Sequence, residues 1–404
     1  MSSIREFASG VAGLKRRTRF TPYRESFHLA RKLDALLDCL SGVELSPEDG
    51  VLRILEFFRT DEGVFGTSDD SAGVMGDVYR HRACDMLVEY ASKCPDKLFL
   101  ADAVLDLIRE GDNYRIRHIA LGVVGRFLSR REMVYLIEHF EGPAEGSDRS
   151  GFVCAHTVAL QLGDPLILER VHRSQGKNLP VYALEEISRA WFNSNDPETA
   201  LSWLDRVPGG VAFRSKERQA LRTDIYEALG RLDERDALLW AAFRSARSAG
   251  RFEVLLERVG VENVDERRTL LAAEVGRVLA SSRFRLSDLV FLMDTEHIRE
   301  AARWCYEVRD EIGGHAYLTL PKLANLFSGE GEFLAATILW RALLDDLLGS
   351  GRTRAYGHGA RYLKQLRACA TSIQDWKALS THDEYEAALM ERHGRKSSFW
   401  RRLD

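Results

Sequence analysis

A chain of 404 residues, 45% hydrophobic and 29% charged, can bury a substantial core and is too long for one simple core to be the default. Its formal net charge of −4 and pI near 6.3 argue against bulk attraction to nucleic acid or to an anionic membrane, leaving such contacts to local patches. Six widely and irregularly spaced cysteines exclude a disulfide scaffold and read as buried free thiols.

The opening stretch MSSIREFASGVAGLKRRTRF has no apolar signal core. No run of about eighteen apolar residues follows anywhere, so a cytoplasmic setting without a membrane span is expected. Lys15, Arg16, Arg17 and Arg19 make residues 1–22 a basic, solvated arm.

From there the text repeats at three and four. A first helix is predicted over 23–40, and Val51, Ile54, Leu55 and Phe58 form the apolar stripe of the next. Asp61 to about Gly76 reads as a polar, glycine-rich loop in which Asp70, Ser71 and Asp77 serve turns and caps. DVYRHRACDMLVEYA is helical, with Val78, Ala83, Met86, Leu87 and Tyr90 inward, until Pro95 interrupts. KLFLADAVLDLIREG, YRIRHIALGVVGRFLSR and REMVYLIEHFEG are short helices, and Gly111 and Gly142 end two of them. This is the pattern of HEAT-like pairs over 23–141.

The polar stretch 142–151 is a boundary, after which the units over 150–259 look tetratricopeptide-like. Trp203 and Trp240 lie 37 residues apart, and Trp304 and Trp340 lie 36 apart, each in similar helical text. Residues 197–259 therefore read as two stacked helix pairs, with large aromatics packed between hairpins. A second break near 259–266 introduces C-terminal repeats and a capping tail over 265–404. The predicted fold is all-α, an α-α superhelix of HEAT-like and degenerate tetratricopeptide-like hairpins.

Chemistry-bearing motifs are few. No G-x-G-x-x-G, Walker, H-E-x-x-H or G-x-S-x-G text occurs, so no catalytic residue and no cofactor is assigned. Cys154-Ala-His156 and His81-x-x-Cys84 come nearest to metal pairs, but neither has a visible second half, and no metal is expected. The C-terminal end is richer. With 353–373 as a helix, Arg354, His358 and Arg361 share a stripe, Tyr362 stands one turn from His358, and Leu363, Leu366, Cys369 and Ala370 face inward. Arginine forks suit a phosphate, a carboxylate or an acidic helix face, although any soluble helix also carries a charged side. His382, Tyr385 and His393 follow in a further helix and Lys396 and Trp400 in the tail after it, where Phe399 and Trp400 either close the array or anchor a partner.

EALGRLDERDALLWAAFR, GEFLAATILWRALLDDLL, RTRAYGHGARYL and HDEYEAALMERHGRKSSFW together resemble an uncharacterised bacterial family of helical-repeat proteins. Similar text forms the C-terminal region of some proteins with a SWIM-type zinc finger. The resemblance runs from about Asp69 to Trp400 and implies a helical-repeat architecture with no established catalysis. The finger's cysteine–histidine pattern is absent here, so its metal and nucleic-acid associations do not carry over. This chain also has Ala72 in place of an acid, and Gly357 and Gly359 flank His358. The expected function is a scaffold that binds a protein or peptide through Arg354, His358, Arg361, Tyr362 and their neighbours. Nucleic-acid binding or regulation by the basic C-terminal surface is the alternative, and an enzyme of unknown class the more distant one.

Overall fold

The computed structural model describes residues 2–141 and 149–403. Most of the predicted boundary at 142–151 therefore lies outside the described residues. The fold is all-α, built from packed helical hairpins; the β pairing among the described residues is one isolated bridge, Thr21 with Ser68. No helix among them is long and apolar enough to cross a membrane. The chain forms two compact units, Met1–Arg231 and Leu232–Asp404. The division falls between Trp203 and Trp240, inside the span that their spacing groups together.

The first unit contains α1 (Ser2–Lys15), α2 (Tyr23–Asp38), α3 (Pro47–Phe58), α4 (Asp61–Phe65), α5 (Val74–Asp77), α6 (Cys84–Lys93), α7 (Lys97–Arg109), α8 (Arg117–Leu121), α9 (Arg130–Phe140), α10 (Arg149–Leu162), α11 (Pro165–Arg173), α12 (Val181–Asn193), α13 (Pro197–Leu204) and α14 (Ser215–Ala228). The stretch expected to be a basic arm contains α1, with Phe7 and Val11 buried. Two of its cations reach other segments: Lys15 pairs with Glu56, and Arg17 donates to Thr67 Oγ1 at 2.8 Å. Gly63 lets α1 approach closely, since a Cβ there would lie 1.9 Å from the Leu14 carbonyl oxygen.

The stripe Val51, Ile54, Leu55 and Phe58 is buried as the spacing requires, and the Ser46 side chain caps α3 by accepting from Asp49 N–H. The loop expected from Asp61 instead opens with α4, and Asp61 is wholly buried. Its partner is Arg117, 56 residues on, whose Nη2 and Nε donate to Oδ1 and Oδ2 at 3.0 and 3.1 Å. No local pattern could reveal that pairing. Asp70 does cap a helix: its two carboxylate oxygens accept from Met75 and Gly76 N–H at 3.0 and 2.9 Å.

A π-helical turn, Val78–Ala83, joins α5 to α6. Within it Tyr79 is buried beside the half-buried Val78 and packs against Phe57, Phe58 and Phe65. The Tyr79 hydroxyl lies 2.6 Å from Thr60 Oγ1, which satisfies the polar end of a fully buried ring.

The second unit contains α15 (Leu232–Ser245), α16 (Ala249–Arg258), α17 (Val264–Leu279), α18 (Leu286–Asp294), α19 (Ile298–Glu307), α20 (Leu320–Gly329), α21 (Phe333–Gly349), α22 (Tyr356–Ala370), α23 (His382–His393) and α24 (Ser397–Trp400). Phe243, Phe252 and Phe291 form an aromatic cluster at its start, with Trp240 at the edge. Glu274 is wholly buried among Arg244, Arg247 and Arg277, and Arg247 also reaches Asp288 at 3.0 Å. Trp203, Trp304 and Trp340 are core residues and Trp240 is half-buried, which agrees with a packing role for the repeated tryptophans. All six cysteines are free; Cys39 is half-buried and the rest are buried.

Candidate functional site

The longest helix, α21, is the spine of the C-terminal end, with α20 and α22 packed on either side. Its core face carries Trp340, Leu343, Leu344, Leu347 and Leu348. The helix predicted over 353–373 is divided: a 3-10 turn, Thr353–Ala355, precedes α22. Arg354 therefore stands in the turn, exposed, and does not continue the stripe of His358 and Arg361. Those two do meet, with Arg361 Nη2 donating to His358 Nδ1 at 2.9 Å. That bond requires a lone pair on Nδ1 and so leaves the ring proton on Nε2. Tyr362 turns inward and stacks on Trp340, with centroids 5.2 Å apart and an interplanar angle of 30°.

His358 and Tyr362 border a cleft of about 450 Å³. Leu343, Leu347 and Tyr362 supply apolar wall, and His358, Asp346 and Arg352 supply polar groups. Asp346 and Arg352 face each other at 4.0 Å. The loop before α20 completes it with Tyr317 and Leu318, which are 59% and 74% exposed. This loop is held against α21 at Gly314, where a Cβ would lie 2.1 Å from the Ala342 carbonyl oxygen. Arg402 Nη1 lies 3.6 Å from where a Cβ on Gly357 would sit, so the terminal basic run comes back to the start of α22. Gly359 receives the Phe399 ring: an added Cβ would lie 3.1 Å from it.

The other predicted contact residues lie in α23, α24 and the turn between them. Tyr385 is buried and donates to Asp345 Oδ1 at 3.1 Å, while Arg341 lies over its ring, 4.3 Å from the centroid. Burial pushes both the Tyr385 hydroxyl and the Asp345 carboxyl above their usual ranges. His382 is buried, and its Nε2 lies 3.0 Å from Glu386 Oε2. Burial, with Lys396 and Arg392 nearby, holds His393 below the ordinary imidazole range. Lys396 donates to the Leu348 carbonyl, and Trp400 Nε1 donates to the His393 carbonyl at 3.0 Å. Tyr385 and Lys396 thus tie α23 and the following turn to α21, while Trp400 joins α24 to the end of α23 and His382 bonds within α23. The open cleft draws on His358 and Tyr362 from the sequence reading and adds Tyr317 and Leu318, which that reading missed. A consecutive exposed Tyr-Leu pair after Gly313-Gly314 was the available signal.

The first unit brings together two further polar groupings. His118 Nδ1 lies 2.5 Å from Asp112 Oδ2, and its Nε2 lies 3.2 Å from Cys154 Sγ. Carboxylate, imidazole and thiol stand in the order of a nucleophilic relay, but Cys154 is 1% exposed, so its sulfur is sealed from a substrate. The hydrogen bonds to Asp112 and Cys154 raise His118 to about 9. Burial works against ionised Asp112, but the His118 ring and the backbone N–H groups of Arg117 and His118 outweigh it and lower its pKa.

The folded His118 value lies above its unfolded value near 6.5, so this pair's stabilisation is complete below that pH and fades as pH rises through about 9. The effect is of order 2–3 kcal/mol. In urea unfolding from pH 6 to 9.5, His118→Gln should cost most at pH 6 and little at the upper end. Parallel stability curves for the two proteins would refute the pairing's ionic character.

The second grouping is His156, His172 and Glu186, whose potential ligand atoms all lie within 4.8 Å of one another. Of these, the sequence reading noticed only His156. Its partners lie on the next two helices, at spacings that match no metal motif.

The fold and cleft define an all-α helical-repeat protein with a largely apolar recess in its second unit. Residues 170–402 match DUF6880, described as a family of unknown function, and the chain belongs to that family. The match takes in α12 through α24 and so includes the whole cleft. No curated protein and no solved structure matches the chain.

Proposed function

We propose that the protein is a non-catalytic scaffold whose second unit captures a peptide segment of a partner protein. The segment would place an apolar side chain between Tyr362, Leu347 and Leu318 and set acidic residues against Arg354, Arg361 and Arg402. The observation that carries this reading is the cleft itself: about 450 Å³, apolar in its walls, with Leu318 left 74% exposed on its border. An exposed leucine beside a concave apolar wall gains by being covered, by about 25 cal/mol per Å² of apolar area. The surrounding arginines add selectivity and on-rate more than affinity. Packed hairpins supply a rigid frame, so the cleft loses little entropy on binding. Cytoplasmic residence and kinship with tetratricopeptide-like proteins belong to the same reading.

Selection of peptides from a randomised display library on the full chain tests it. Enriched sequences should combine a large apolar residue with nearby acids. By fluorescence anisotropy, Leu318→Asp should weaken the best peptide at least tenfold. The double variant Arg354→Ala/Arg361→Ala should weaken it severalfold and flatten its salt dependence. Both changes lie on exposed side chains, so the unfolding temperature should stay constant. No enriched motif, or binding indifferent to both variants, would remove the proposal. Selective capture of single-stranded oligonucleotides through the same arginines would favour the nucleic-acid reading instead.

A further inference from the structure

Three consecutive helices of the first unit, α10, α11 and α12, each send one polar side chain to a common point. His156 Nε2 lies 2.7 Å from Glu186 Oε2, and His172 Nε2 lies 3.0 Å from that same oxygen. We propose that His156, His172 and Glu186 form a binding site for one zinc-class divalent cation, held by two imidazoles and a carboxylate.

Convergence is the first argument. A hydrogen-bonded cluster that served only to fill space would be free to use both carboxylate oxygens, whereas here both imidazoles address one. Tetrahedral coordination at bond lengths near 2.0–2.2 Å separates ligand atoms by roughly 3.3 Å. The observed contacts of 2.7 and 3.0 Å would open by roughly 0.3–0.6 Å to admit an ion at that spacing.

The surroundings also hold the rings in place. Phe152 stacks on His156 at 5.5 Å and 20°, and Tyr182 meets His172 edge-on at 5.7 Å. His172 is 2% exposed, so one ligand is wholly within the protein. The His156 and Glu186 side chains are 17% and 23% exposed, so an ion has a route in.

The donor set selects the ion class. Two imidazole nitrogens with one carboxylate suit zinc, iron, nickel or copper, while calcium and magnesium prefer oxygen ligands throughout. Cys154 does not complete the set, because its sulfur is engaged with His118. Three protein ligands leave a coordination position open to water or a small anion. Beside Glu186 lies a recess of about 90 Å³ bordered by Arg189, Arg214 and Arg218. Arg214 and Arg218 pair with Glu185, which limits their repulsion of an incoming cation. The site is independent of the peptide cleft and stands or falls separately from it.

The full-length chain, stripped with a chelator and dialysed, should bind one equivalent of Zn²⁺ by calorimetry. Co²⁺ should give the intense visible bands of a four- or five-coordinate ion and should be displaced by Zn²⁺. Glu186→Gln and His156→Asn, both at partly exposed positions, should each weaken Zn²⁺ binding by roughly 100-fold or more, since loss of an outer-shell partner alone typically costs 10–100-fold. His139→Asn, elsewhere on the surface, should bind as the parent does. Circular dichroism with unchanged helix content establishes that the variants fold. Absence of a stoichiometric ion, or affinity unchanged in both ligand variants, would show a hydrogen-bonded cluster only and overturn the proposal.

Discussion

Asp61→Ala should destabilise the protein by about 3–5 kcal/mol, the cost typical of stranding one partner of a buried ion pair. Asp61 is fully buried and Arg117 is 6% exposed, so water cannot replace the lost carboxylate. The remaining contacts of Arg117 are the Leu107 carbonyl at 3.4 Å and Glu110 at 3.3 Å, a half-exposed carboxylate already held by Arg59 at 2.7 and 2.8 Å. The guanidinium would have to stay charged in an apolar setting or drag its helix toward solvent. Urea unfolding followed by far-ultraviolet circular dichroism measures the loss. The double replacement Asp61→Leu with Arg117→Met supplies the complementary measurement. Removing both charges with volume roughly conserved should recover most of the stability, because the desolvation cost disappears with them. A single variant within about 0.5 kcal/mol of the parent would mean that the pair is hydrated in solution, contrary to its burial.

Arg341→Ala should release the C-terminal end of the second unit. Arg341 Nη1 donates to Ser380 Oγ at 3.1 Å, and Nη2 donates to the Ser380 and Thr381 carbonyls at 3.0 and 3.2 Å. The guanidinium also lies between aromatic faces, 5.3 Å from the Trp376 centroid and 4.3 Å from that of Tyr385. Burial lowers its pKa from the usual arginine value, but the group remains charged at neutral pH. Hydrogen bonds to a charged donor are worth about 1.5–3 kcal/mol each, and their losses overlap, so a total near 3 kcal/mol is expected. The effect should be local. Hydrogen exchange should rise over residues 371–393 while α18 and α19 keep their protection. Trp376 emission should shift to the red as its ring enters water. Arg341→Lys should restore only part of this, because an ammonium cannot reproduce the planar fork. Unchanged exchange in α23 would show that the Thr381–Glu384 capping box and Phe399 hold the end without it.

Both experiments turn on contacts between residues far apart in the chain, and that is where the sequence reading stopped. The apolar stripe of α3, the capping carboxylate of Asp70 and the buried tryptophans were all visible, because each depends on spacing within a few residues or on a large ring that must be covered. Residues 1–22 were misread because Phe7 and Val11 are too few to outweigh four nearby cations in a local count. Ala83 and Leu87 are buried as their spacing requires, but the burial of Tyr79 was not legible, because a π turn leaves no mark in a 3.6-residue period. At the C-terminal site, the stripe rule placed Tyr362 beside His358 correctly but could not show that Tyr385, Lys396 and Trp400 would be spent on closing the unit.

The sequence by itself determined the all-α class, most of the helices and a resemblance to an uncharacterised helical family, since periodicity, caps and family-specific text are short-range properties. Only the tertiary structure decided which polar groups share a point in space. Asp61 with Arg117, His118 with Asp112 and Cys154, and His156 with His172 and Glu186 are joined by helix packing. Packing geometry depends on every side chain along the interface rather than on the spacing of the residues it brings together.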